Sequence, residues 1–387
     1  MPKTLSKESI LQAISEEKLG FKFGKPDRPN ESSLACILPI LRDTTQKRQY
    51  VTMPETEHVI VTDSGTINKV NLKNSGKENV FLRSGTIFEG KGTQSRMITR
   101  SAVLFPGSEV ALDARCVHAS HGIRSGSQFK YGGTVPVDVE AANYTAGFTP
   151  RDQRAVWQNV TRTTTTMNAM AGRTVRRAAA PTRNRGQGIF GGQGIISGQS
   201  FGGWNTQEFE RSVNRLHGEA EPICDQAIPC SGSLLSSMDS VFAGDDNLKA
   251  NFDAFAKDFD SVLSKARLHE NQCGLALITV SGCKTVELFD VPVSWEALHK
   301  DAVKRMGTEL LRGEDKTNVF EYKPENAVNA VKKVLGLDYK ANLIYEHKPS
   351  NGEPHVAITG ITAPRYVGEI VEIDAKVAHL VILEIAA

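Results

Sequence analysis

Three side chains that can ligate metals or act as nucleophiles lie close together in the segment CVHASHGIR, residues 116–124. Cys116 and His118 are two positions apart, so they share a face if the segment is a β-strand, and His121 follows. Thiolate and imidazole suit zinc or copper, although a zinc site needs further ligands from elsewhere in the chain. The same pair could activate the thiol as a nucleophile. A buried cysteine with histidines at a strand end fits the spacing equally well, so the three interpretations stay open.

A second group of residues upstream has the composition of a ligand site. Gly90 and Gly92 would let backbone approach a ligand closely, Gln94 could bond a polar edge, and Arg96 could hold a phosphate or carboxylate. The competing interpretation is a turn or β-bulge in which Arg96 pairs with an internal acid. The ligand-binding candidates are therefore Gly90, Gln94, Arg96, Cys116 and His118.

Charge is distributed most unevenly between residues 151 and 185, a segment that contains eight arginines and a single acid, Asp152. Five of these arginines fall within residues 173–185 without a lysine, and eight glycines follow within 186–203. Because the glycine-rich tract contains no lysine, it lacks the group that a P-loop uses to reach phosphates. Residues 172–205 form what we call the arm, and its candidate contact residues are Arg173, Arg176, Arg177, Arg183, Arg185, Phe190, Phe201 and Trp204.

Three interpretations of the arm compete. Its low complexity cannot build a core element alone, so the arm could contact another subunit or a partner protein. Arginine's bidentate bonding and stacking also suit a nucleic acid, with strongly salt-dependent binding. The third interpretation is a solvated surface insertion. We expect the first, and therefore a homo-oligomer, with nucleic-acid binding as the alternative.

The first half of the chain is predicted to be a β-rich body. A short amphipathic helix over residues 7–18 precedes a strand-rich region over about 33–140. The pattern predicts one hairpin in VNLKNSGKENVFL, with its turn at 74–76, and another in MITRSAVLFPGSEVAL, with its turn at Pro106-Gly107. A helix over about 151–161 follows, with Val156, Trp157 and Val160 at helical spacing.

The second half mixes helices with strands. Helical patterns begin near Gln207 and span about 233–267 and 326–335. A hairpin turns at Ser281-Gly282, and the next helix has Ser294 as its predicted N-cap. Strands near 341–347, 354–360, 366–373 and 378–385 close the chain. The fold class is therefore α+β: an antiparallel β-rich N-terminal half, a helix and a low-complexity insertion, then mixed helices and strands closing a sandwich-like body. The predicted divisions are 1–32, 33–171, 172–205 and 206–387.

Whole-chain composition excludes several classes of protein. The chain has 387 residues and 40% hydrophobic residues, which is enough for a core and unlike a collagen, coiled-coil or disordered chain. A net charge of +2 for the whole chain implies neither a nucleic-acid nor a membrane partner. The six cysteines lack C-x-x-C spacing, and the N-terminal residues lack a signal-peptide core, so we expect a cytoplasmic protein without a disulfide framework.

The segment EGKGTQSRMITRSAVLFPGSEVALDARCV, residues 89–117, resembles the ARG-and-rhodanese-phosphatase-superfamily-associated protein family. Members carry a Gly-(Ala/Gly)-Lys-Gln-Asn-Arg segment, a strand, and Cys-Val-Glu followed by Gly-Arg-Trp. DQRAVWQNV is similar to the family's Gln-x-x-x-Trp helix, and the resemblance covers about 65–170 and 250–387. This chain departs from the pattern at Thr86, Ser95 and His118. The residues that match in order are Gly85, Gly90, Gln94, Arg96, Cys116 and Val117.

The resemblance implies an association with NAD and ADP-ribose metabolism but no particular reaction or cofactor. No catalytic motif is evident in the chain itself. The first functional hypothesis is therefore a non-catalytic protein that self-associates or binds a partner through the arm. The second is an enzyme or ligand-binding protein of NAD/ADP-ribose metabolism that uses Gln94, Arg96, Cys116 and His118. The third is nucleic-acid binding through the arm.

Overall fold

The computed structural model describes residues 7–29, 34–90, 93–117, 123–145, 150–170, 248–311, 323–349 and 352–385. It has the predicted mixed α+β class with antiparallel sheets. The helices are α1 (Lys7–Ser15), α2 (Val137–Thr145), α3 (Pro150–Met170), α4 (Leu248–Asp258), α5 (Asp260–Leu263), α6 (Pro292–Arg305), α7 (Gly307–Leu311) and α8 (Pro324–Leu335). The strands are β1 (Phe21–Phe23), β2 (Cys36–Arg42), β3 (Val51–Thr52), β4 (Val59–Asp63), β5 (Lys69–Asn74), β6 (Val80–Leu82), β7 (Thr86–Gly90), β8 (Arg96–Ile98), β9 (Ala102–Leu104), β10 (Glu109–Cys116), β11 (Gln128–Thr134), β12 (Gln272–Thr279), β13 (Gly282–Phe289), β14 (Lys340–His347), β15 (Val356–Ala363), β16 (Tyr366–Ile373) and β17 (Lys376–Glu384).

Eight strands form one large antiparallel sheet in the order β1-β2-β12-β13-β17-β16-β15-β14. Its central strands are apolar on both faces, as β12 illustrates: Leu275 and Leu277 join one core cluster, while Ala276 and Ile278 join another. Helix α6 packs on the first face through Trp295, and α1 and α8 contribute to the cluster on the other. Burial on both faces explains why these strands are continuous apolar runs rather than alternating ones.

Six other strands close into a barrel in the order β10-β5-β4-β11-β7-β8. The alternation of side chains sends Phe88 and Ile98 into the barrel's interior cluster, while Ile87 and Met97 point outward. On the outside, Ile87 and Met97 join a cluster that includes Val156 and Val160 of α3. Helix α3 is thereby held against the barrel that carries Arg96 and Cys116.

Both hairpins predicted in the first half are wrong. Strand β5 pairs with β4 and β10 in the barrel, whereas β6 leaves it to join the three-stranded sheet β3-β6-β9, in which β3 and β6 run parallel. Likewise β9 pairs with β6, and β10 pairs with β5 and β8. The turn at Asn74 explains the departure, because its buried side chain donates to the carbonyls of Glu78 (2.8 Å) and Leu104 (3.1 Å). It therefore ties the chain to β9 instead of folding it back on β5.

The helix predictions need two corrections. Helix α3 runs to Met170 rather than ending near 161, despite its four consecutive threonines. Ser294 is not an N-cap: Val291 occupies that position and Pro292 begins the helix, because proline's fixed φ and missing N–H suit the first helical turn. The hairpin at Ser281-Gly282, the helix at 326–335 and the four closing strands are confirmed. The helix predicted near Gln207 and the start of the one at 233–267 lie outside the described residues.

The large sheet draws its strands from both ends of the sequence. Strand β2 pairs with β12, so segments on either side of residues 171–247 share one layer. The predicted divisions at 32, 171 and 205 stay predictions. No helix in the described ranges is both long enough and apolar enough to span a lipid bilayer.

Candidate functional site

The structure brings three of the predicted ligand-binding residues together at one end of the barrel. Arg96 begins β8 and stands directly opposite Cys116 of β10 on one side and Phe88 of β7 on the other. Because Ile98, two residues on, lies in the interior cluster, Arg96 is on the inward face of its strand. Its side chain is fully buried, at 0% exposure.

Only part of the Arg96 guanidinium is bonded. NH1 donates to the backbone oxygen of Gln94 at 3.0 Å and to its side-chain Oε1 at 3.1 Å. Nε and NH2 have no hydrogen-bond partner among the residues that the structure describes. No acid within the described ranges forms an ion pair with Arg96, so the alternative in which an internal acid neutralises it does not hold there. The Nε–NH2 edge is one that binds a carboxylate or phosphate with two parallel bonds.

In Arg83, by contrast, the Nε–NH2 edge of the guanidinium is bonded to a carboxylate. Its Nε and NH2 both donate to the carboxylate of Glu287, the NH2 bond being 3.0 Å long, and NH2 also reaches Glu140 at 3.0 Å. Arg83 and Arg96 are both buried arginines. Among the described residues, Arg83 is saturated by acids and the Nε–NH2 edge of Arg96 is not.

Gln94 and Cys116 fix the orientation of Arg96. The Cys116 thiol donates to Gln94 Oε1 at 3.2 Å, and the same oxygen accepts from Arg96 NH1. The amide is therefore held from two directions and keeps its oxygen towards the guanidinium. Because NH1 is bonded to Gln94, the donors of Arg96 that are left to bond another group are Nε and NH2.

Helix α3 adds two residues that were not among the predicted site residues. Gln153 donates from Nε2 to the Cys116 carbonyl at 3.0 Å and accepts from the Cys116 N–H at 3.3 Å. Trp157 Nε1 donates to the same carbonyl at 3.1 Å. The available signal was the Gln-x-x-x-Trp spacing, which places both side chains on one face of a helix. We call Gln94, Arg96, Cys116, Gln153 and Trp157 the Arg96 site.

Gly90 lies at the edge of this site, but its role differs from the close backbone approach to a ligand that the sequence suggested. A Cβ at Gly90 would collide with the backbone carbonyl of Thr93, so glycine permits this close approach. The Gly90 N–H donates to Ser95 Oγ at 3.4 Å. Gly90 therefore contacts the segment that carries Gln94 rather than offering its backbone to a ligand.

The remaining predicted site residues lie outside the described ranges. These are His118 and His121 of the metal and ligand hypotheses, and the arm residues Arg173, Arg176, Arg177, Arg183, Arg185, Phe190, Phe201 and Trp204. Among the residues that the structure does describe, no group of three His, Cys, Asp or Glu side chains could hold a metal ion. The metal hypothesis for Cys116, His118 and His121 stays a prediction.

A buried ionic network, which the sequence did not reveal, joins the barrel side of the molecule to the large sheet. Arg83 and Arg305 both bond Glu140 and Glu287, with Arg305 NH1 2.5 Å from Glu287 Oε2, and His379 Nε2 is 3.2 Å from Glu287 Oε1. Burial alone would raise the pKa of Glu287, but the guanidinium groups of Arg83 and Arg305 hold it well below its usual range. Two cations and two anions balance, so this network has a structural rather than a ligand-binding character.

Comparison with known proteins gives one match. Searches of curated proteins and of solved structures found none. The model of the ARG and Rhodanese-Phosphatase-superfamily-associated Protein domain matches residues 25–383, a range that includes every residue of the Arg96 site. Because the match covers most of the chain, this protein belongs to the ARG and Rhodanese-Phosphatase-superfamily-associated Protein domain family.

Proposed function

We propose that the Arg96 site binds a small ligand through an anionic group. The observation that carries the proposal is the fully buried guanidinium whose Nε and NH2 lack partners. A buried charge without a counter-ion costs several kcal/mol, and each unsatisfied buried donor costs roughly 1–3 kcal/mol. An anion on this edge would remove both penalties at once.

A phosphate of an ADP-ribose-type or NAD-type compound is the proposed ligand class. Arginine's fork fits phosphate oxygens bidentately, and the mouth of a β-barrel is a common location for small-molecule sites. The resemblance of the chain to its family adds the association with NAD and ADP-ribose metabolism. Binding rather than catalysis is proposed, because the Cys116 thiol is engaged with Gln94 and serves to position it.

Ligand-induced stabilisation tests this proposal. ADP-ribose, NAD, AMP and inorganic phosphate would each be added at millimolar concentration and the melting temperature measured. Binding to the folded state at 100 times Kd contributes about 2.7 kcal/mol of stability, which is readily seen as a shift. Arg96→Met should abolish the shift. Arg162→Met, which removes the same charge from an exposed position of α3, should preserve it.

Two results would count against the site. One is the absence of a shift with every ligand at millimolar concentration. The other is a shift that survives in Arg96→Met, which would place the ligand elsewhere. A shift with inorganic phosphate alone would retain the anion site and remove the nucleotide class.

Self-association or partner binding through the arm is a separate proposal that rests on sequence alone. The eight arginines within 151–185 and the glycine-rich tract that follows support it. Deleting residues 172–205 should reduce the number of subunits per particle in solution, and an unchanged oligomeric state, including a monomer in both forms, would remove this role. Nucleic-acid binding by the same arginines predicts steep salt dependence, so salt-insensitive binding would argue against it.

A further inference from the structure

The last strand of the large sheet, β14, is an open edge that is exposed along almost its whole length. It pairs only with β15, so its outer backbone groups have no neighbouring strand in the described structure. Three of its apolar side chains are exposed, Leu343 by 59%, Ile344 by 43% and Tyr345 by 46%. Uncovered edges with apolar side chains are templates for pairing with another strand.

The charges along this edge are antisymmetric about Leu343. Asp338 and Lys340 precede it by five and three residues, and Glu346 and Lys348 follow it by three and five. If two copies pair antiparallel with Leu343 opposite Leu343, Lys340 faces Glu346 and Asp338 faces Lys348. All four side chains are exposed. Two-fold symmetry repeats both contacts, which gives four opposite-charge cross-strand pairs.

Neighbouring registers lack this complementarity. Moving the axis to Asn342 sets Asp338 opposite Glu346, and moving it to Ile344 sets Lys340 opposite Lys348. Like charges directly opposite one another destabilise a strand pair. The sequence of the edge therefore selects one register in which a second copy of the same strand is its electrostatic complement.

We propose that β14 pairs antiparallel with β14 of a second copy about a two-fold axis at Leu343, joining two eight-stranded sheets into one. The occupant of the edge is thus this chain itself, and neither the arm nor the Arg96 site takes part. The bulge between Leu343 and Tyr345, where β14 has one extra residue against β15, increases the twist of the strand. In the symmetric dimer the two bulges fall on opposite sides of the axis.

Charge exchange tests the register in the full-length protein. Sedimentation analysis over a concentration series should show a dimer for the wild type. Lys340→Glu or Glu346→Lys alone turns two attractive pairs into two repulsive ones and should weaken the dimer by about 10-fold or more. The double exchange K340E/E346K restores opposite charges and should restore the dimer. Lys69→Glu, on β5 with a neighbour on each side, is the matched control and should leave the dimer unchanged.

Cross-linking tests the axis itself. Leu343→Cys places two thiols opposite each other, so mild oxidation should link two copies. Val280→Cys, which is similarly exposed (52%) in the turn between β12 and β13, should give far less linked dimer. A wild type that stays monomeric at high concentration would overturn the proposal. So would a dimer that single charge reversals leave intact, which would place the contact in the arm or elsewhere, or a double exchange that fails to restore association.

Discussion

Two buried arginines in this protein occupy opposite electrostatic situations. Within the described part of the chain, Arg83 meets Glu287 and Glu140, whereas Arg96 meets only Gln94 and retains two unpartnered donors. The desolvation cost is similar for both, but only Arg83 recovers it from neighbouring carboxylates. Burial alone therefore does not tell a neutralised arginine from an uncompensated one, whereas the partners of the Nε–NH2 edge do.

Replacing each arginine by methionine should change stability in opposite directions. Arg96→Met removes an uncompensated buried charge and fills its place with an apolar chain, so we expect the unliganded protein to gain about 1–3 kcal/mol. Arg83→Met leaves Glu287 and Glu140 short of a counter-ion and should cost roughly 3–5 kcal/mol. Denaturant unfolding at pH 7 without ligand measures both. Equal destabilisation of the two variants would contradict the contrast.

Asp290 should make stability depend on pH in the range below neutrality. Burial raises the pKa of this carboxyl from 3.8 to about 6, although Tyr50 donates to Oδ1 at 2.7 Å. The folded state therefore binds a proton more tightly than the unfolded state, and this contribution to stability is lost as pH rises from about 4 to about 6. As pH rises across that interval, the free energy of unfolding of Asp290→Asn should increase relative to that of the wild type by roughly 2–3 kcal/mol. A stability difference that stays constant with pH would refute the assignment.

The residues of the Arg96 site were only partly predictable. Gln94, Arg96 and Cys116 could be proposed because their types suit anion binding and their order resembles a family pattern. Their convergence depends on strand pairing, since Arg96 and Cys116 meet across β8 and β10 at a separation of twenty residues in sequence. Gln153 required knowing which face of α3 meets the barrel. The ionic network around Glu287 had no signal, because a lone acid in an apolar strand does not reveal its partners.

At the scale of elements, the positions of the strands in the sequence were easier to predict than the strands with which they pair. Alternation of apolar and polar residues identifies a strand and its buried face, but it does not identify the strand's partner. Nearness in sequence therefore suggested that consecutive strands form hairpins. The hairpin at Ser281-Gly282 formed because β12 and β13 remain in one sheet. The one at Asn74 did not, because that side chain bonds β9 and sends the chain into a different sheet. A side-chain bond at a turn can therefore outweigh proximity.

Close contact between β16 and β17 gives a prediction at the same scale. A Cβ at Gly368 would collide with the carbonyl oxygen of Val381 on the adjacent strand, and β15 restrains β16 from the other side. Gly368→Ala should therefore push the two strands apart and cost more than about 2 kcal/mol. Gly336→Ala, at the exposed end of α8, is the control and should change stability by less than about 1 kcal/mol. Similar denaturation midpoints for the two variants would show that β16 can shift without penalty.

At the scale of the whole molecule, the ionic network lies where separate parts of the chain meet. Arg83 follows β6, Glu140 belongs to α2, Glu287 to β13 and Arg305 to the end of α6. Removing one of these charges leaves its partners buried and uncompensated, so the part of the molecule that contains the Arg96 site should not unfold independently of the large sheet.

Acid unfolding provides a test of that coupling. Since the pKa of Glu287 is held well below its usual 4.5, the stability it contributes is fully present above about pH 4.5 and declines as the pH falls further. The protein has three tryptophans, of which Trp157 lies beside the barrel and Trp295 lies in the core of the large sheet. W204F/W295F leaves Trp157 as the fluorescent reporter, and W204F/W157F leaves Trp295. We expect the two acid transitions to coincide once corrected for the stability of each variant, because loss of the Glu287 charge releases both parts together. A Trp157 transition at clearly higher pH would show that the barrel end opens first and that the network does not couple the two.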